Sequence, residues 1–280
     1  MGGRNDSNFR TSKNKNLFIL NNLPQRRPYA AIVCSIRLAQ ISIFACKTAR
    51  MKTYIPPDDC SFSSIDAPCF RNLLPEEIEL ARNSKTKVVF RKGENLTKQG
   101  AFASSVLFVM DGLAKQYVEG DTTRSFNIRL VQGGEFVGLS VAFNNHTYQY
   151  SVVALRETTA CLIEKEAVTS LIKSNGSFAY NIINRYCEQN SKLYLSIHDL
   201  MYKQMNGRLA GALLYLWKEQ ADGEVFPLLS RKDIADFAGL STESTVKLLK
   251  TFEKEGLIRL EDKNIVLLDT ANLEQISLIG

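Results

Sequence analysis

The stretch that most restricts the fold of this chain runs from Leu228 to Leu268, LLSRKDIADFAGLSTESTVKLLKTFEKEGLIRLEDKNIVLL. Two short helical patterns meet there at a glycine. Ser230 carries the oxygen an N-cap needs, Asp233 stands three residues on to complete a reciprocal cap, and Ile234, Phe237 and Ala238 recur at helical spacing. Gly239 breaks the period. Ser241 then caps a second helix, with Val246, Leu249 and Phe252 expected inward. Two apolar runs, Leu257–Leu260 and Ile265–Leu268, flank the polar turn Glu261–Asn264 as a β-ribbon. Helix–turn–helix plus ribbon is the plan of a winged DNA reader, whose second helix enters the major groove of double-stranded DNA.

The segment GLSTESTVKLLKTFEKEGLI resembles the recognition helix of the Crp/Fnr regulators in its length and in its Gly, Glu and terminal Leu-Ile. That family reads bases through a Glu and, four residues later, an Arg. The matching residues here are Glu243 and Lys247, so the Arg has become Lys. A spacing of four sets both side chains on one helix face, opposite Leu249 and Phe252. Glu accepts from cytosine N4, and Lys donates to guanine O6 or N7. Alone, such a pair is an ordinary helix contact worth roughly 0.2–0.5 kcal/mol. The helix–turn–helix around it is what gives it a second meaning. By the same resemblance, Arg231, Lys232, Ser241 and Ser244 are expected to hold DNA phosphates.

Net charge does not support this reading. The chain carries +6, but nine of its 35 basic residues and only one of its 29 acids lie in 1–50, which leaves 26 against 28 in 51–280. Affinity for DNA must therefore come from a local arrangement of charge. Six cysteines (34, 46, 60, 69, 161 and 187) are scattered without a CxxC pair, which suits a reducing cytoplasm better than a disulfide scaffold.

At 280 residues the chain has room for about two domains. Residues 1–28 are polar and basic and read as disorder. The run 29–46 is apolar, but Arg37 interrupts it and no small-residue cleavage site follows. Composition changes at Met51. The break favours a native start there, with 1–50 a disordered or non-native extension; a basic membrane-surface helix is the alternative. From Val88 to about Glu164, strand-like runs of five to eight residues are punctuated by glycines 93, 100, 112, 134 and 138, the pattern of an antiparallel β-roll or jelly roll. VVFRKGENLTKQG…LFVMDGLAK…GGEFVG resembles the cyclic-nucleotide-binding roll of the Crp/Fnr family, and the likeness extends in the family's order from Phe70 to Leu268.

A long helix is expected from Ser177 to about Gln204. Ile182, Ile183, Tyr186, Asn190, Leu193, Ile197 and Leu200 recur at three or four residues as a narrow seam. Twenty-eight residues span roughly 42 Å, more than a small roll needs to cover, so the seam reads as a parallel pairing with a second copy. Asn206-Gly207 is expected to end it. The expected architecture is α+β: an extension (1–50), a sensor β-roll (51–176), a dimerisation helix (177–205) and a winged helix-turn-helix (206–280).

Relatives that bind cyclic AMP hold its ribose with a Gly-Glu pair, its phosphate with Arg-Ser and its base with Thr-Ser on the long helix. The matching positions are Gly138-Leu139, Gln149-Tyr150 and Leu193-Tyr194, where the carboxylate, guanidinium and hydroxyl pair are all replaced. A buried phosphodiester without its Arg loses a bidentate charge-assisted contact, so cyclic AMP bound in the usual way is not expected: the pocket is either vestigial or holds something less charged, a small-molecule effector of unknown identity. Oxygen-sensing relatives carry an iron–sulfur cluster on cysteines. Cys161 falls on the roll position and Cys60 and Cys69 precede the first helix, but their step is wide and a third N-terminal cysteine is missing. No GxSxG, P-loop or HExxH motif marks an enzyme. The resemblance implies a cytoplasmic homodimeric transcription regulator that meets DNA and RNA polymerase but no membrane. A module using its winged helix for protein contacts is the rival.

Overall fold

The computed structural model describes residues 70–120, 124–143, 146–219 and 225–280. The expectations placed on residues 1–50, Cys60 and Cys69 lie outside these segments.

The glycine-punctuated runs fold into two four-stranded antiparallel sheets. One has the order β1 (Lys85–Phe90), β8 (Thr158–Glu164), β3 (Ser105–Asp111), β6 (Phe136–Val137). The other runs β2 (Asn95–Thr97), β7 (Ser151–Ala154), β4 (Leu113–Glu119), β5 (Ser125–Gln132). Strand β3 shows how period two builds the roll. Leu107 and Val109 join Ala114, Val131, Val152 and Ala154 of the second sheet in one core. Val106 and Phe108 face the other way, into a core with the helices, where Phe108 meets Phe70 and Phe136 edge-on at 5.1 and 4.9 Å.

Those helices are α1 (Pro75–Asn83), α2 (Lys165–Ser174) and α3 (Gly176–Tyr202). Asn175 caps α3 by accepting from Phe178 N at 2.9 Å, and its amide donates to Glu77 Oε2 and Asn72 O, so one side chain ties α3 to α1. Phe178 and Ile182 are buried on the roll. Beyond them the helix presents Ile183, Cys187, Tyr194, Ile197 and Met201 to solvent. With half-buried Asn190 these residues alternate steps of four and three, a heptad row. The expected seam is thus split: Ile182 belongs to the roll, and Tyr194 and Met201 take places on the open face.

The break after α3 falls at Lys203–Gln204, both extended, rather than at Asn206-Gly207. Asn206 and Gly207 lie instead in the first turn of α4 (Met205–Lys218). Then come α5 (Arg231–Ala238), α6 (Thr242–Lys254), the ribbon β9 (Ile258–Glu261) and β10 (Asn264–Leu267), and a closing helix, α7 (Thr270–Ile279), which sequence patterning had not marked. Leu213, Leu216, Phe226, Ile234, Leu249, Phe252 and Leu273 form their core, and it continues into Leu113, Leu130 and Leu155 of the roll. The C-terminal helices therefore rest on the roll through a shared apolar seam.

Candidate nucleic-acid interface and sensor pocket

Both helices of the reader begin on serine caps. Ser230 Oγ accepts from Asp233 N at 3.1 Å, while the Asp233 carboxylate accepts from Ser230 N at 2.8 Å. Ser241 Oγ accepts from Ser244 N at 3.0 Å, and the two hydroxyls lie 2.9 Å apart. Between the helices Gly239 adopts φ +63°, and a Cβ there would lie 2.3 Å from Leu200 Cδ2 of α3. Leu249 and Phe252 face inward as expected. Thr245, rather than the half-buried Val246, is the other fully buried residue of α6; its hydroxyl donates to Ser241 O at 3.0 Å. On the opposite face the side chains of Glu243 and Lys247 are 78% and 75% exposed and meet each other at 2.7 Å.

The residues expected to touch phosphate differ in how they are held. Arg231 donates through Nη2 to Asp262 O in the ribbon turn at 3.0 Å, and burial pulls its guanidinium below the usual arginine range. Lys232 is drawn to Asp236 at 2.6 Å and to Ser125 Oγ of the roll at 3.2 Å. Ser241 and Ser244 stand at the open N-terminus of α6.

Polar contacts hold α5 to the second sheet of the roll. Lys115 of β4 pairs with Asp233, both side chains less than a fifth exposed. Asn127 Nδ2 donates to Asp233 O at 2.9 Å, and Ser125 Oγ donates to Asp236 at 2.7 Å. Burial raises the pKa of the Asp233 carboxyl, but hydrogen bonds from Lys115 and Ser230 outweigh it and hold the group below the usual aspartate value. Farther along β5, Leu130 N donates to Tyr215 Oη of α4 at 2.8 Å, and Gln132 Nε2 donates to Glu219.

Among the described residues, the roll positions matched to cyclic-AMP contacts meet different surroundings. Gly138, at φ +78°, donates its N–H to the hydroxyl of Tyr150 at 2.9 Å. The Tyr148 ring is so close that a Cβ on Gly138 would lie 2.8 Å from Cε1, and its hydroxyl donates to Ser105 O. Burial raises the pKa of both phenols. Leu139 is buried in the core, Gln149 is exposed and donates to Thr147 O, Leu193 is half-buried, and Tyr194 faces solvent. Two tyrosines thus stand where sequence matching had placed ligand contacts, and Tyr148 is the one the matching missed. Its ring is recognisable only from its closeness to Gly138.

Cys161 is buried in β8 with its thiol 3.3 Å from Met110 Sδ. Among the described residues no group of three or more His, Cys, Asp or Glu side chains converges as a metal site requires. No described helix is long and apolar enough to cross a membrane.

The architecture agrees with what the chain is similar to. A Crp-like helix-turn-helix domain matches residues 207–276, and a cyclic nucleotide-binding domain matches residues 87–175. The chain belongs to the Crp/Fnr family. Among the family's curated members, the cyclic AMP receptor protein of Thermus thermophilus is 24% identical over 211 residues, 75% of this chain and 97% of that protein. The transcriptional activator protein anr of Pseudomonas aeruginosa is 28% identical over 224 residues, 77% and 89% of the two chains. Among solved folds, a Crp/Fnr regulator from Eubacterium rectale superposes with a TM-score of 0.65 at 20% identity, over 75% of this chain and 98% of the other. FixK2 of Bradyrhizobium japonicum gives 0.62 at 20% identity, over 70% and 98%. This Crp/Fnr protein is a transcription regulator that joins a cyclic-nucleotide-binding-type roll to a helix-turn-helix DNA-binding domain.

Proposed function

We propose that the protein acts as a cytoplasmic homodimer on an inverted repeat in double-stranded DNA, with Glu243 and Lys247 reading bases. The observation that carries this is the state of α6, whose strongly exposed charge pair stands on the face away from its core and, among the described residues, is partnered only by itself. Such a pair is free to exchange its internal contact for base edges in the major groove. Arg231, Lys232, Ser241 and Ser244 flank it and contact phosphates, which set register but not sequence. The open heptad row of α3 from Ile183 to Met201 supports pairing with a second copy, which would set two recognition helices about 34 Å apart, one helical turn of DNA. Residues 51–176 serve as the sensor, 177–205 as the pairing helix and 206–280 as the reader, and at a promoter the dimer meets RNA polymerase. The signal is a small molecule other than cyclic AMP. Tyr148 and Tyr150 crowd Gly138, and no guanidinium stands at Gln149 to receive a phosphodiester.

Selection of an operator from random duplexes, followed by mobility shift with variants, tests the reading. Glu243→Ala and Lys247→Ala should each cost roughly 1–3 kcal/mol per half-site and relax preference at one base pair. Lys232→Ala should weaken all sequences alike and lower the salt slope by about one ion. If neither base variant changes selectivity over random DNA, the pair is a helix salt bridge only. If the wild type selects no sequence, the winged helix is a protein-binding surface.

A further inference from the structure

A cleft of about 260 Å³ lies between β5 of the roll, the distal half of α3 and the reader helices α4 and α5. It is separate from the tyrosine-filled positions around Gly138. Among the described residues, four buried side-chain polar atoms have no hydrogen-bond partner, and three of them belong to residues lining this cleft: Asn127 Oδ1, Arg129 Nη2 and Arg208 Nε. Asn127 is 1% exposed and Arg129 8%. Leaving such groups unpaired is unfavourable, and more so where the group is charged, so three together beside one cavity call for an occupant.

The rest of each side chain is already engaged, which defines what is missing. Arg129 donates through Nε to Gln116 at 3.0 Å, and through Nη1 to Leu130 O and to Glu135 at 2.6 Å, leaving the Nη2 edge. Asn127 donates to Asp233 O, leaving its carbonyl oxygen. Arg208 reaches Gly239 O only at 3.4 Å and has no carboxylate within ion-pair distance among the described residues. Two guanidinium edges and one amide acceptor thus lack partners just beneath the cleft wall, with Phe126, Leu195 and Leu200 supplying apolar surface; the lining carboxylates Asp199 and Glu219 already face Lys203 and Lys192. The volume falls just below the usual range of ligand sites, roughly 300–1,000 Å³, which restricts the occupant to a compact molecule.

We propose that this cleft is the effector site and that it takes a compact organic anion whose carboxylate or phosphate receives Arg129 and Arg208 and whose hydroxyl or amine donates to Asn127. Its walls come from both sensor and reader, so an occupant favours the arrangement in which α5 lies against the roll. In that same arrangement Lys232, one of the proposed phosphate contacts, is held by Asp236 and Ser125. The ligand therefore opposes DNA binding, and DNA opposes the ligand by the same factor. Binding at the cleft stands by itself; its effect on DNA rests on the DNA-reading function proposed above.

The test is calorimetry on the full chain, without DNA, using glycerol 3-phosphate, glucose 6-phosphate, citrate and glutamate, with glucose and cyclic AMP as comparators. At least one of the four anions should bind, neither comparator should, and Arg208→Gln and Arg129→Gln should each weaken the bound anion tenfold or more. Arg208→Gln guards against misreading a folding defect, since Arg129 also ties down Glu135 within the roll. Carboxylate and phosphate compounds binding unequally identifies which acid the cleft prefers and supports the site. No binding by any of the four at millimolar concentration, or binding unchanged in Arg208→Gln, overturns it. The anion should also weaken operator affinity several-fold. Binding lost in Arg208→Gln with operator affinity unmoved overturns the coupling while leaving the site, whereas an unliganded protein that selects no operator overturns the DNA-reading function instead.

Discussion

Helices α5 and α6 are capped by the same serine chemistry and bury their apolar faces in the same core, yet their polar faces meet opposite surroundings. Asp233 and Asp236 of α5 are engaged by Lys115 and Ser125 of the sensor. Among the described residues, the side chains of Glu243 and Lys247 of α6 pair only with each other. The contrast teaches that a winged helix can give one helix to its own protein and keep the other for a partner. The hydrophobic core alone would not distinguish them, since Ile234 and Phe252 belong to it equally.

The largest effect should come from removing what the two helices share. Phe252→Ala should cost about 3–5 kcal/mol, seen as an early thermal transition in which both helices lose protection from hydrogen exchange together. A variant in which α5 stays protected would show that the sensor alone can hold it. Next, Lys115→Met removes the ion pair without touching the Ser230 cap. It should cost roughly 1–3 kcal/mol, between the exposed and fully buried limits for ion pairs. Exchange should quicken in α5 and not in α6; equal quickening would end the contrast.

Acid should act on the same helix. The pKa of Asp233 is depressed in the folded protein. Its stabilisation is therefore complete above the unfolded aspartate value of about 3.9 and is lost as pH falls through the lower folded value. Exchange at α5 should rise in that window in the wild type, and Lys115→Met should blunt the rise.

On the other helix, if Lys247 reads guanine as proposed, Lys247→Arg supplies a bidentate donor there. It should tighten operator binding by about 1 kcal/mol per half-site without moving the preferred base. A changed preference would mean that position 247 does not read guanine. The smallest effect should follow deletion of residues 1–50. Operator selectivity and thermal midpoint should be unchanged, and loss of either would show that the extension belongs to the working protein.

What could be read from the chain is what depends on neighbours in sequence. Ser230 with Asp233, Gly239 and Ser241 are local signals, and all three behave as expected. Periodicity failed by one residue at Thr245, because a hydroxyl that bonds back to Ser241 O can be buried as readily as a valine. Gly207 misled for a different reason. It is not a turn residue; a Cβ there would lie 2.7 Å from Gly280 O, so its smallness serves the packing of Gly280 against α4. The seam of α3 mixed two uses in one stripe, since nothing in the spacing separates Ile182, under the roll, from Ile183, outside it. The cleft was invisible because Asn127, Arg129 and Arg208 meet only through tertiary packing; a charged residue in the apolar register of β5 was the sole local hint.

The turn at Gly239 has a mechanical consequence. Leu200 of α3 sits so near its Cα that not even a methyl group fits between them. Helix α3 and this elbow are in direct contact, with only a leucine methyl between them. A displacement of α3 at Leu200 therefore bears directly on the elbow between α5 and α6. Gly239→Ala would wedge that contact and add a left-handed strain that alanine tolerates poorly.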